Sequence, residues 1–261
     1  MACRLSLVID SSSGTYARID YDAQNRPERV TRFYRPNTSI PDPYTQLTYS
    51  GNTVQFQHYF NNQPDSTFGT AIVENGLVKK VITHTITDLP SGLYRTLDTL
   101  AATYDTDGLP TRFIRTVRYT HRDTDSLIRY RQQLDFTVED GAVTRIDFTT
   151  NPTFVLSSYQ PDPVSITYAY TGLVGPNRLL TTEDFDELET LEGYPLYLGK
   201  KLPRMMETTN RNPNGNLITQ QFAFNYELND KGFPTLLRAK KTISGLSTLW
   251  RYSNLYTYIC P

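Results

Sequence analysis

The 261-residue sequence has no long hydrophobic run and no excess of either charge. No stretch approaches the roughly 20 apolar residues that a membrane-spanning helix needs, and the mean hydropathy of −0.48 agrees. The 26 basic and 27 acidic residues nearly cancel, so there is no electrostatic reason to expect nucleic acid or an anionic membrane surface as a partner. These absences exclude a helical membrane protein. Aromatic residues make up 12% of the chain, which argues against disorder.

Cysteine is equally scarce. Cys3 and Cys260 stand at the two ends of the sequence, which excludes the CxxC spacing of zinc and dithiol sites. Met1-Ala2-Cys3 resembles the end of a bacterial lipoprotein signal, which predicts lipid attachment at Cys3. A disulfide, if the terminal strands lie side by side, and a free buried thiol stay open as alternatives. Residues 1–10 lack the apolar core of a signal peptide, so we expect any leader to precede this chain.

The feature that dominates the sequence is a strand, a Gly or Asn turn and a second strand, repeated from end to end. Asn75-Gly76 and Asp140-Gly141 supply the positive φ of tight hairpin turns, whereas Asp107-Gly108 and Lys231-Gly232 suit loops of three to five residues. Side chains alternate between two faces with a period of two. The apolar faces are predicted to hold Leu5, Leu7 and Ile9; Ile128, Tyr130, Gln132, Leu134, Phe136 and Val138; and Phe222, Phe224, Tyr226 and Leu228.

About 14 to 16 strands of ordinary length follow from these repeats, more than one open twisted sheet carries comfortably. The sequence therefore predicts a single all-β domain over residues 1–261, an antiparallel up-and-down meander of hairpins that closes into a barrel or a strongly curled sheet. One segment departs from the pattern. Residues 182–192 carry Phe185, Leu188 and Leu191 at helical spacing and predict one short acidic helix, which lies across a barrel end or plugs its mouth.

Two families share these patterns. The segment Tyr104-Asp105-Thr106-Asp107-Gly108-Leu109-Pro110-Thr111 resembles the Tyr-Asp repeats of RHS-type surface proteins. The hairpin repeats and a C-terminal block at residues 194–241 resemble a group of bacteroidetal lipoproteins of unassigned function with a porin-like barrel fold. That block contains Leu196–Pro203, Gly215-Asn216 and Phe224–Thr235. The resemblance implies a barrel and a lipidated Cys3, and it implies no activity.

Residues that carry chemistry are few. No GxSxG, P-loop or GxGxxG motif is present. His58, His84 and His121 stand singly, so no metal and no cofactor is predicted, although a cross-strand meeting of His84 and His121 would favour a metal site. Asp135 and Asp147 are carboxylates that a barrel could assemble into the acid pair of a glycoside hydrolase.

The main concentration of positive charge predicts a solvated strand face with Asp123 and Asp135 as partners, and an anionic glycan is the alternative partner. It comprises Arg112, Arg115, Arg118, Arg122, Arg129 and Arg131. The C-terminal stripe of Trp250, Tyr252, Tyr256 and Tyr258 is the candidate ligand-binding set, because aromatic faces stack on sugar rings. Core packing is the ordinary role of such a stripe.

These patterns together predict a monomeric, non-catalytic binding or structural module of a bacterial cell envelope. It would be periplasmic or anchored to the outer membrane through lipid on Cys3, and its ligand would be an envelope glycan or peptide. A transmembrane β-barrel pore is the first alternative. The charges of Lys79, Arg112, Arg115, Arg145 and Lys240 oppose it, because they interrupt a lipid-facing band. An envelope glycan hydrolase is the second alternative and predicts an acidic pair with a raised carboxyl pKa.

Overall fold

The computed structural model describes residues 4–10, 16–33, 41–89, 92–121, 127–152, 163–174, 201–211, 215–243 and 251–259, which form sixteen β-strands and no helix. The strands are β1 (Arg4–Asp10), β2 (Tyr16–Tyr21), β3 (Pro27–Phe33), β4 (Tyr44–Ser50), β5 (Thr53–Phe60), β6 (Gln63–Glu74), β7 (Leu77–Leu89), β8 (Gly92–Tyr104), β9 (Pro110–His121), β10 (Leu127–Glu139), β11 (Ala142–Pro152), β12 (Pro163–Val174), β13 (Lys201–Arg211), β14 (Leu217–Leu228), β15 (Pro234–Ile243) and β16 (Arg251–Ile259).

The sixteen strands form one closed antiparallel barrel. Each strand pairs with its neighbours in sequence, and β1 closes the barrel by pairing with β16 along a register that joins Arg4 to Ile259. This confirms the predicted all-β meander of hairpins and its closure into a barrel. The helix predicted at 182–192 lies outside the described residues. No helix in the described part of the chain is long and apolar enough to span a membrane.

The end of the barrel that holds the Asn75-Gly76 and Asp140-Gly141 turns is here called the turn end; the opposite end, which holds the Asn61-Asn62 turn, is the loop end. Asn75 and Gly76 have φ of 54° and 76°, and Asp140 and Gly141 have φ of 52° and 73°. Because both central residues of such a turn need positive φ, these two hairpins confirm the prediction made from the residue types.

Three longer connections at the turn end share one side-chain device. The Asp105 carboxylate accepts hydrogen bonds from the backbone N–H groups of Asp107 and Leu109 at 2.9 and 2.8 Å. The Asn229 side-chain oxygen accepts from Lys231 and Phe233 at 3.0 and 2.9 Å in the same way. Asp22 repeats the pattern with its own loop. The recurrent Tyr-Asp motif is therefore explained in part by an acceptor that orders the loop.

Tyrosines near the turn end, among them Tyr21 and Tyr104 of this motif, form hydrogen bonds inside the barrel. In five hairpins an inward tyrosine hydroxyl donates to a backbone carbonyl of the preceding strand, so a large ring enters the core without leaving its polar tip unsatisfied. The pairs are Tyr21 with Leu5 (2.5 Å), Tyr49 with Pro27 (2.7 Å), Tyr104 with Val78 (2.8 Å), Tyr226 with Pro203 (2.7 Å), and Tyr170 with Val143.

The inward face carries a continuous apolar band. Phe113, Phe222 and Ile146 keep at most 1% of their surface exposed, and their contacts belong to one cluster that includes residues from β2 through β16. Barrels of sixteen strands normally enclose an aqueous channel. Such a channel would expose the side chains of the apolar band to water. Because these side chains are buried, the interior is closed to water at the level of the apolar band.

Alternation of the two faces follows the prediction in β10 and β14. Leu134, Phe222 and Phe224 are buried, whereas Arg131 and Gln221 are exposed. In β1 the prediction of one buried face for Leu5, Leu7 and Ile9 is wrong. A bulge between Leu5 and Leu7 shifts the register, so that Leu5 and Val8 pack against the core and Leu7 and Ile9 occupy outward positions.

Candidate functional site

The inward face changes from apolar to polar towards the loop end. Along β7, Val81 is buried, Thr83 and Thr85 are half-buried, and Thr87 is exposed. The same change occurs around most of the barrel. We call the described inward residues above the apolar band the inner polar layer: Thr45, His58, Thr67, Thr83, Thr85, Thr96, Asp98, Arg115, Gln132, Thr208 and Gln220.

An ion pair lies at the lower edge of this layer. Arg115 Nε and Nη2 donate to Asp98 Oδ2 at 2.7 and 2.5 Å, and the two side chains keep only 21% and 23% of their surface exposed. Arg115 shares its face of β9 with Phe113 and Val117, both buried. The pair is therefore held among buried apolar side chains and is only partly exposed.

Neighbouring strands add uncharged polar groups to the inner polar layer. Gln132, which is buried, lies directly across from Arg115 on β10. Thr67 Oγ1 donates to Thr85 Oγ1 at 3.3 Å, and Thr45 Oγ1 lies 3.3 Å from His58 Nδ1. The layer thus combines carboxylate, guanidinium, amide and hydroxyl groups, a set that can recognise a polar ligand by hydrogen bonds.

The predicted aromatic stripe is divided by the structure. Tyr256 is buried in the apolar band, and the Tyr258 ring packs on Phe233 at 5.2 Å near the turn end. Both positions serve the core. Tyr252 lies nearer the loop end of β16, across from Ala239. Trp250 and Cys3 lie outside the described residues.

The histidines do not gather into a site. His84 pairs with Phe68 and Leu97 on the outer face, whereas His121 pairs with Tyr94 at an inward position. The described registers therefore do not pair His84 with His121 across strands. Within the described ranges there is no group of three or more His, Cys, Asp or Glu side chains arranged to hold a metal ion.

Asp135 and Asp147 do lie directly opposite each other on β10 and β11. They face outward, and each is held by an arginine: Arg112 Nε donates to Asp135 at 2.6 Å and Arg145 Nη2 donates to Asp147 at 2.6 Å. Partial burial opposes the shift, but hydrogen bonds from Gln133 and Arg112 lower the pKa of Asp135 below its usual range. A general acid in glycoside hydrolysis needs a raised pKa, and the pKa of Asp135 is shifted in the opposite direction.

The arginines divide between the two faces. Arg112, Arg118 and Arg131 are exposed on the outer face, and Arg129 takes an outward position opposite Arg118. Arg122 lies outside the described residues. The prediction of a solvated face is wrong for Arg115, which points inward. Phe113 and Val117 lie two residues before and after Arg115 and are apolar. This alternation in the sequence indicates that Arg115 shares their inward face.

Outward positions of the wall mix charged residues with half-buried apolar ones, such as Ile82 and Ile86 on β7 and Leu97 on β8. Charged residues face outward on strands around the barrel, and several form surface ion pairs, including Arg18–Asp20, Arg112–Asp135, Arg145–Asp147 and Arg238–Glu227. The large apolar side chains exposed among the described residues are Phe60, Phe68, Met205, Leu217, Leu255 and Ile259.

Comparison with solved structures supports the fold. A porin-like protein from Bacteroides vulgatus ATCC 8482 superposes with a TM-score of 0.56 at 12% sequence identity, covering 96% of this chain and 97% of that chain. A porin-like protein from Bacteroides uniformis ATCC 8492 gives 0.58 at 12% identity and covers 98% of both chains. No family model matches the sequence, and no curated protein matches it. At this identity the likeness concerns the barrel fold.

Proposed function

We propose that this protein is a non-catalytic binding module of a bacterial cell envelope that holds a polar ligand in the inner polar layer. One observation carries the proposal: in the described strands the interior holds an apolar band with polar groups gathered towards the loop end, and charged residues stand on the outer face. A wall of this kind suits a barrel surrounded by water. The likeness to porin-like proteins of Bacteroides supports an envelope location.

The outer wall is the main argument against the pore alternative. A transmembrane barrel presents an apolar band about 25 Å tall to lipid, and Arg or Lys at its middle costs about 2 to 4 kcal/mol. Here Arg145 and Asp147 face outward on β11, and Arg238 and Lys240 are exposed on β15. Several such charges around the barrel would make insertion costly.

The interior gives a second argument. A pore needs a continuous wet path, and the apolar band interrupts that path between the inner polar layer and the turn end. A ligand that enters from the loop end would therefore stop at the level of Asp98 and Arg115. The band serves as the floor of a binding site, and the polar layer supplies its donors and acceptors.

A glycan or peptide fragment of the envelope fits this set of groups. Planar carboxylate, guanidinium and amide groups form paired hydrogen bonds with vicinal hydroxyls or with peptide groups. The Asp98–Arg115 pair neutralises its own charge, so the site favours a ligand rich in hydroxyl or amide groups. Lipid attachment at Cys3 would tether the barrel to a membrane without requiring its wall to enter lipid.

The test combines size-exclusion chromatography without detergent with conductance measurements in planar bilayers. We expect a monodisperse monomer that produces no discrete conductance steps. Soluble peptidoglycan fragments, which carry both glycan and peptide, are then titrated against the emission of Trp250, the single tryptophan. Aggregation rescued only by detergent, with stepwise conductance, would instead support the pore.

Matched variants locate the binding. The double variant Asp98→Leu with Arg115→Met removes the inner ion pair without leaving an unpaired charge. Arg145→Met removes one partner of an outer pair and serves as the control. We expect binding of the peptidoglycan fragments to be lost in the double variant and kept in the control. Equal binding by both would place any ligand outside the inner polar layer.

A further inference from the structure

The outward arginines fall into two groups. Arg112, Arg145 and Arg238 each contact a carboxylate of the outer wall within 3.1 Å. Among the described residues no ion pair is formed by the exposed Arg95, Arg118 and Arg131, which lie on the consecutive strands β8, β9 and β10. We call these three residues the outer arginine patch.

None of the direct cross-strand partners that the described register gives to the three patch arginines is acidic. Arg118 lies between Leu97 and Arg129, so two arginines stand directly opposite each other on β9 and β10. Arg131 lies opposite Thr116, and Arg95 opposite Thr120. Like charges directly across a strand pair destabilise a sheet. Arg95, Arg118 and Arg131 therefore give this part of the outer wall a positive charge that an anionic partner would neutralise.

An aromatic pair lies in the same row of the outer wall. Phe68 on β6 stacks on His84 on β7 with ring centroids 5.1 Å apart, and Phe68 is 39% exposed. Cross-strand pairing continues from His84 through Leu97 to Arg118. With neighbouring strands about 4.8 Å apart, the row from Phe68 to Arg129 spans roughly 19 Å.

We propose that this row binds an acidic polysaccharide, a sugar chain that carries carboxylates. The aromatic pair offers a flat surface on which an apolar sugar face stacks. The arginines match carboxylates in charge and in planar geometry, and Arg forms paired N–H···O contacts that Lys cannot. The site lies on the outer wall, so it is separate from the inner polar layer and independent of the function proposed for it.

A polysaccharide fits this surface better than an anionic membrane does. The row runs across five strands on the side of the barrel and is flanked by threonines at 99, 116 and 120. A membrane-binding surface would add a cluster of apolar groups for insertion. Of the apolar side chains in the described row, Phe68 is exposed and stacked on His84 and Leu97 is half-buried, which is too few for an inserting cluster. An extended, ring-containing polyanion uses both the aromatic and the cationic parts of the row.

The experiment measures binding of polygalacturonate, a carboxylated polysaccharide, by the full chain. The test variant replaces Arg95, Arg118 and Arg131 by Gln. Its control removes three exposed lysines elsewhere, with Lys80, Lys231 and Lys240 replaced by Gln, and so changes the net charge equally. We expect the Kd for polygalacturonate to rise at least about tenfold in the test variant and to stay within about twofold in the control.

Four further measurements make the test decisive. Neutral dextran should not bind, and polygalacturonate binding should weaken with salt, less steeply in the test variant. Phe68→Ala should weaken polygalacturonate binding while leaving the melting temperature unchanged, because Phe68 is partly exposed. Equal losses in test and control variants would mean non-specific charge attraction and would overturn the proposal. So would tighter binding to phosphatidylglycerol vesicles than to polygalacturonate.

Discussion

Removing one partner of the inner ion pair should destabilise the barrel far more than removing one partner of an outer pair. In Arg115→Met the Asp98 carboxylate loses two hydrogen bonds of 2.7 and 2.5 Å while it stays against the apolar band. Breaking a fully buried pair costs roughly 3 to 5 kcal/mol, and an exposed pair contributes roughly 0 to 1. Because the side chains are 21% and 23% exposed, we expect a loss of about 2 to 3 kcal/mol.

The assay is equilibrium unfolding in urea, followed by circular dichroism and by Trp250 emission. The outer control is Arg145→Met, whose pair with Asp147 is 50% and 45% exposed and whose loss should cost less than about 1 kcal/mol. Adding Asp98→Leu to Arg115→Met should restore most of the lost stability, because no charge then remains unpaired. Equal effects of the inner and outer single variants would refute an inward, partly buried Arg115.

Three further predictions test the barrel itself. Gly69→Ala should destabilise the barrel by about 1 to 3 kcal/mol in thermal melts. An added Cβ would lie 2.2 Å from the backbone oxygen of Ile82 on β7 and 2.3 Å from the Phe56 ring on β5. An unchanged melting temperature would contradict this packing. Asp105→Ala should cost about 1 to 2 kcal/mol by leaving two loop N–H groups without their acceptor, whereas the exposed Asp107→Ala should cost less than about 0.5. Cys3 and Cys260 are the residues next in sequence to the paired Arg4 and Ile259. In protein made without lipid, we expect oxidised glutathione to convert both thiols to one intramolecular disulfide and to lower the intact mass by two hydrogens; two alkylatable thiols would exclude it.

Local chemistry explains why so much of the fold was predictable. The Asn-Gly and Asp-Gly turns depend on backbone conformations of two adjacent residues, and the Asp105 and Asn229 loops close within five residues. Alternation along a strand needs no knowledge of its neighbours, so the faces of β10 and β14 followed directly. Strand number then limited the architecture to a barrel or a curled sheet.

The errors arose where the fold depends on more than one strand. The bulge in β1 is set by its pairing with β16, at the opposite end of the chain, and it moved Leu7 and Ile9 to the outer face. Arg115 was grouped with the surface arginines because they are close in sequence, although its parity matches Phe113 and Val117. A partner for it, Asp98, appears only when β8 and β9 are brought into register.

The sequence alone determined an all-β chain of hairpins, their turns and the two faces of most strands, because turns and alternation are properties of neighbouring residues. Only the tertiary structure decided how these faces combine. Closure of β1 onto β16 turned the apolar faces inward into one dry band, gathered polar residues from distant strands into the inner polar layer, and left three arginines together on the outer wall. The physical reason is register: which side chains meet across a barrel depends on the summed pairings of sixteen strands, and no single segment contains that information.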